Sequence, residues 1–118
     1  MVPPKQVVLF AAKDGSCPLL GCVDEFPPRA QQKLLAQIHL LHRFGDGKDL
    51  ANADSEIRLL QILCNGNTYH LSYFLQDSCA VLLHAWICGS DPESEQLSLA
   101  VDRRRQFEMN PDVHTYFE

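Results

Sequence analysis

Arg58, Tyr73 and His84 are residues whose types could hold an anion or move a proton. Acid–base chemistry on a phosphate ester would need a base, cations for the charge growing on the phosphate and an acid for the leaving oxygen. His84 titrates in the range suited to an acid or base. It alternates with Leu82 and Trp86 along an apolar strand-like run, where a hydrogen-bonded structural histidine is the competing account. Arg58 is the best phosphate clamp. On a strand it shares a face with Glu56, Leu60 and Ile62, while Ile57, Leu59, Gln61 and Leu63 point the other way. A snorkelling or ion-paired arginine fits the same pattern. Tyr73 can stack on a base or donate its hydroxyl, or simply fill a half-buried strand position.

Arg103, Arg104 and Arg105 form the one basic cluster. On a helix three successive residues point about 100° apart, so they make no single tight patch. Arg104 continues the side of Leu97 and Val101 toward a core edge. Arg103 and Arg105 are free to meet phosphate or an acidic partner segment, or to stand in solvent. Asp91, Glu93 and Glu95 suit the start of a helix through its dipole and would repel phosphate, so their expected role is structural.

These residues need elements to position them. Gln6 to Ala12 reads as a first strand, and Lys13-Asp14-Gly15-Ser16 as a turn. Cys17 to Phe26 has room for a short helix. Pro27-Pro28 opens a better one, in which Ala30, Leu34, Ile38 and Leu41 fall on one stripe with Leu35 beside it. Gly45 and Gly47 end it, and Lys48 to Ser55 is a polar connector. Three strands follow: Glu56 to Leu63, Thr68 to Leu75 and Cys79 to Ile87. Asn65-Gly66 between the first two is a hairpin signal, and Gln76-Asp77-Ser78 marks the next turn. Ser90 and Asp91 offer two caps for a last helix, Ser90 with Glu93 at capping-box spacing and Asp91 before Pro92. Its apolar side is Leu97, Ala100, Val101 and Phe107, and Asn110-Pro111 stops it. Asp112 to Glu118 reads as a tail with two aromatics, Tyr116 and Phe117, able to dock.

The expected fold is one α+β domain over residues 1–118, with a core at about 6–109 and a C-terminal tail at 110–118. Its antiparallel sheet consists of the N-terminal strand and a three-strand meander, packed by helices on one face. The composition agrees: 118 residues fit one domain, and 46% hydrophobic with 21% charged residues is a folded balance. A net charge of −5 runs against nucleic acid as the main ligand, since binders of phosphate chains are usually basic. The five cysteines are odd in number and contain no CxxC pair, so free thiols are expected and neither a metal nor another cofactor. No signal peptide is evident and the apolar run Val7 to Ala12 is far too short to span a bilayer, which makes cytoplasm the expected location.

The order of these pieces resembles the phage-derived HigB-like branch of the RelE/ParE toxin superfamily. Leu34 to Gly45 is similar to that branch's leucine-rich helix closing in Phe-Gly. Glu56 to Leu60 looks like its Glu-Leu-Arg strand, and Thr68 to Ile87 like its Tyr-Arg-x-x-Tyr-Phe strand followed by Leu-Leu-His-Gly-Phe. Pro92 to Phe107 is similar to its Pro-x-x-Glu-x-x-x-Ala-x-x-Arg helix. The resemblance covers about residues 13–108 and lies in order and spacing.

It implies the toxin of a two-gene toxin–antitoxin system, cutting messenger RNA on the ribosome and held by a helix-turn-helix antitoxin. Arg58, Tyr73 and His84 fall on the family's strand arginine, second tyrosine and histidine, as catalytic candidates. His70, Arg103 and Arg105 become candidates for holding RNA or a partner. Two positions depart from the pattern. His70 stands where the family has an arginine, and Cys88-Gly89-Ser90-Asp91 stands where it has a lysine-rich stretch. Losing such cations removes charge-assisted bonds to phosphate. The sequence thus leaves open an active nuclease with a shifted site, a non-cleaving protein-binding module of the same fold, and a likeness of fold alone. The oligomeric state is left open too.

Overall fold

The computed structural model describes residues 6–44, 57–76, 79–89 and 92–116. The elements are β1 (Gln6–Leu9), α1 (Pro18–Asp24), α2 (Pro28–Phe44), β2 (Arg58–Cys64), β3 (Asn67–Gln76), β4 (Cys79–Ile87) and α3 (Glu93–Met109). The expected helix stop at Gly45 and Gly47, the connector at 48–55, Glu56, the turn residues Asp77 and Ser78, the caps Ser90 and Asp91, and Phe117 lie outside the described residues. Among the described residues no helix is long and apolar enough to cross a membrane.

The strand order is β1-β4-β3-β2, an α+β arrangement. β2, β3 and β4 form the expected antiparallel meander. Asn65 and Gly66, with φ 52° and 81°, turn β2 into β3 and set Cys64 opposite Asn67. Two central residues at positive φ match the right-handed twist of the flanking strands, which is why Asn-Gly suits this place. β1 differs from expectation by joining parallel, pairing Gln6 to Leu9 with Cys79 to Leu82. A parallel partner requires a long crossover, which α1, α2, β2 and β3 supply.

The helices also lie on both faces of the sheet, not one. On the first face Leu19 and Phe26 from α1 and its exit, and Ala30, Leu34 and Leu41 from α2, pack on Ile62, Cys64, Tyr69, Leu71, Tyr73, Leu82 and Ala85. On the second face Ala100 and Phe107 of α3 pack with Ile57, Phe74, Val81 and Leu83. The central strand β4 is therefore buried on both sides from Ala80 to Trp86. Within α2 the expected stripe faces the core, while Leu35 turns to solvent.

Residues after α3 are built into the fold, although they read as a tail. His114 stacks on Phe10 with ring centres 5.1 Å apart, and its Nδ1 donates to the Ala11 carbonyl at 2.8 Å. Tyr116 N–H donates to Leu9 O at 2.9 Å, and Phe10 and Thr115 form an antiparallel bridge. The segment closes over the end of β1.

Candidate functional site

One irregularity decides which side chains meet. Regular alternation along β4 would put Leu82, His84 and Trp86 on one face. The register instead pairs Ser72 with His84 and Tyr73 with Leu82, leaving Leu83 as an extra residue in β4. Such a bulge turns every residue beyond it to the other face. Arg58 and Tyr73, cross-strand partners on β2 and β3, stay on the first face with Leu82. His84 and Trp86 are turned to the second face, under α3. The structure thus separates His84 from the other two catalytic candidates. Tyr73 is buried at 1% exposure and Arg58 is half-buried at its edge.

The bulge frees backbone groups that need partners, and side chains supply them. Ser72 Oγ donates to the His84 carbonyl at 3.1 Å, and Arg103 Nη1 donates to the Leu83 carbonyl at 2.8 Å. Ser72 is fully buried, so this bond is its reason for being tolerated there.

The second face carries a polar ladder. Arg103 Nη1 also donates to His84 Nδ1 at 3.2 Å. Guanidinium is only a donor, so Nδ1 is the bare nitrogen and Nε2–H donates to Gln96 Oε1 of α3. His84 is stacked on Trp86 at 5.3 Å, and Trp86 meets His70 edge-on at 5.6 Å. Trp86 Nε1 donates to Glu93 Oε2 at 3.2 Å. His70 Nδ1 lies 3.2 Å from Glu93 Oε1 and 3.2 Å from Cys88 Sγ, and its Nε2 contacts Gln61 Oε1 at 3.1 Å. The nitrogen, sulfur and oxygen of His70, Cys88 and Glu93 lie within 4.8 Å of one another, a grouping among the described residues that could hold a cation.

The electrostatics follow from burial. Burial holds the His84 imidazole below its ordinary pKa; the Gln96 bond opposes this and the Arg103 charge adds to it. Burial also lowers the Arg103 guanidinium, countered by Cys22, Cys17 and Asp102. Burial pushes the Cys88 thiol up, and the Glu93 carboxylate pushes it further.

The lowered His84 pKa predicts acid sensitivity. A histidine whose folded pKa is depressed contributes stability above its unfolded value of about 6.5, and this is lost as pH falls through the folded value. Melting temperatures measured from pH 7.5 down to pH 5 are expected to fall. In His84→Gln that fall is expected to shrink. An equal acid loss in wild type and variant would place its origin elsewhere.

Of the sequence candidates, His70, His84 and Arg103 are gathered on the second face, whereas Arg58 and Tyr73 lie on the first. Arg105 is exposed on α3. Arg104 sits over the Phe74 ring at 4.9 Å, near the expected core edge, and pairs with Glu108 at 3.3 Å. Sequence reasoning gave Glu93 a helix-dipole role, yet its carboxylate reaches across to His70 and Trp86. It also missed Gln61, Cys88 and Gln96. Gln61 pairs with His70 directly across β2 and β3, so strand alternation and the hairpin register would have found it.

No family model matches the chain, no curated protein matches it, and no solved structure matches it.

Proposed function

We propose that this protein is a RelE/HigB-like domain of a two-gene toxin–antitoxin pair that acts by binding its partner and does not cut RNA. The likeness of element order and spacing supports the family part of this reading. The non-cleaving part rests on one observation. The bulge at Leu83 sets His84 on the opposite face from Arg58 and Tyr73, so one phosphate cannot contact all three. His84 is moreover only 6% exposed, with both ring nitrogens engaged. A general acid or base must reach the proton it moves, and this imidazole is shielded by Gln96 and Arg103. The acidic net charge points the same way.

A second reading has its own observation. His70, His84 and Arg103 share the α3 face, and a nuclease site shifted there would use them. Induced expression in a bacterium without any partner gene separates the two. The expected result is undisturbed growth and unchanged messenger RNA ends despite soluble protein. Co-expression with a helix-turn-helix protein encoded beside it is expected to yield a stoichiometric complex. Growth arrest with new RNA ends that vanish in His70→Ala and His84→Ala would overturn the binding reading in favour of the nuclease.

A further inference from the structure

We propose that His70, Cys88 and Glu93 form a zinc site at the junction of β4 and α3, with its fourth position open to water. The site depends on neither functional reading, because it is drawn from the three donors and the side chains that orient them.

The three donors come from three places: His70 from mid-β3, Cys88 from just beyond β4, and Glu93 from the first residue of α3. Gly89, at φ 92°, turns the chain between the last two, a conformation that suits glycine. Tetrahedral zinc takes nitrogen, sulfur and oxygen at about 2.0–2.3 Å, which puts neighbouring donors about 3.4–3.6 Å apart. Nδ1 of His70 lies 3.2 Å from both Glu93 Oε1 and Cys88 Sγ. Cys88 Sγ and Glu93 Oε1 lie within 4.8 Å of each other, so closing that third edge around the ion is the adjustment that binding requires. A mixed imidazole, thiolate and carboxylate set suits zinc better than calcium or magnesium, which prefer oxygen alone.

The surroundings carry the argument further. His70 Nε2 lies 3.1 Å from Gln61 Oε1; when it donates its N–H there, Nδ1 is left as the lone pair facing Glu93 Oε1 and Cys88 Sγ. A metal-binding histidine commonly donates its other N–H to an orienting acceptor, the role Gln61 fills. Trp86 Nε1 holds the other carboxylate oxygen of Glu93, leaving Oε1 turned toward His70. Two of the three donors are thus oriented from outside the cluster. Binding zinc would displace the Cys88 thiol proton to solvent, as thiolate ligation requires.

The test uses the full chain, stripped with a chelator and titrated with cobalt(II), then with zinc(II) in competition. The expected result is one equivalent of cobalt per chain, with intense tetrahedral d–d bands and a thiolate-to-cobalt charge-transfer band that zinc abolishes. Cys88→Ser is expected to remove the charge-transfer band, and Cys79→Ser to leave it. His70→Gln and Glu93→Gln should weaken binding at least tenfold. Gln61→Leu, acting only through His70, should weaken it about 10-fold without changing the spectrum. Circular dichroism of each metal-free variant checks that it is folded. Absence of the charge-transfer band in folded wild type, or its survival in Cys88→Ser, would overturn the proposal.

Discussion

Phe107→Ala is expected to lower the free energy of unfolding by about 3–5 kcal/mol, the usual loss when a buried phenylalanine is truncated. Phe107 is 6% exposed and meets Phe74 edge-on with ring centres 5.8 Å apart. The other fully buried residue of α3 is Ala100, whose side chain is a single methyl. Phe107 is therefore the main apolar anchor of the helix. Leu83 and Val81 beneath it belong to a strand fixed from both sides, so the sheet cannot collapse into the gap. Small domains have about 5–15 kcal/mol in all, so the variant should sit near the edge of folding. Denaturant melts of wild type, Phe107→Leu and Phe107→Ala would measure this. A loss below about 1 kcal/mol in the alanine variant would mean that α3 is not held by this contact.

Arg103→Leu is expected to cost about 2–4 kcal/mol, from the buried acceptor left unpaired and the packing lost. The guanidinium bonds Leu83 O at the bulge and His84 Nδ1, and lies 5.8 Å from the Phe10 ring centre. Leucine keeps part of the apolar volume and removes both bonds. Arg103→Lys keeps a charge but presents no planar fork, so an intermediate loss is expected. The acid limb gives a second readout. Arg103 is one cause of the lowered His84 pKa. Without it the folded value moves back toward the unfolded one, so less stability is lost between pH 7.5 and 5. Burial, the larger cause, remains, so the slope flattens without vanishing. A double-mutant cycle with His84→Gln isolates the pair. Additive losses, or an unchanged acid limb, would show that the contact is idle.

How much of this was legible beforehand depends on the range over which each feature is encoded. Asn65-Gly66 announces its hairpin because two adjacent residues set the turn. The α2 stripe is equally local, and Ala30, Leu34, Ile38 and Leu41 face the core as the spacing requires. The pairing of β1 with β4 is written nowhere near β1, since parallel partners are chosen by the whole crossover. The two-sided cover of the sheet left a trace in Ala80 to Trp86. Apolar residues there are nearly continuous where one-sided burial would alternate. The candidate site failed at one residue. Strict alternation sets His84 beside Arg58 and Tyr73, and the extra Leu83 undoes it. Nothing in Val81-Leu82-Leu83-His84 marks a bulge. Its support comes from Ser72 and Arg103, which are distant in sequence. The His70, Cys88 and Glu93 cluster was hidden for a related reason. Cysteine spacing finds sites built within one loop, whereas these donors converge from β3, the end of β4 and α3.

The clasp of His114, Thr115 and Tyr116 over Phe10 and Leu9 has a kinetic meaning. A chain made from its N-terminus exposes β1 long before residues 79–82 exist to pair with it, and longer before 114–116 can cover it. Contacts so distant in sequence slow folding, because the loop they close must be ordered first. The hairpin of β2 and β3 has no such delay. The sheet is therefore expected to grow outward from the middle of the chain. The earliest-made strand locks almost last, and its apolar face stays open to chaperones through most of synthesis.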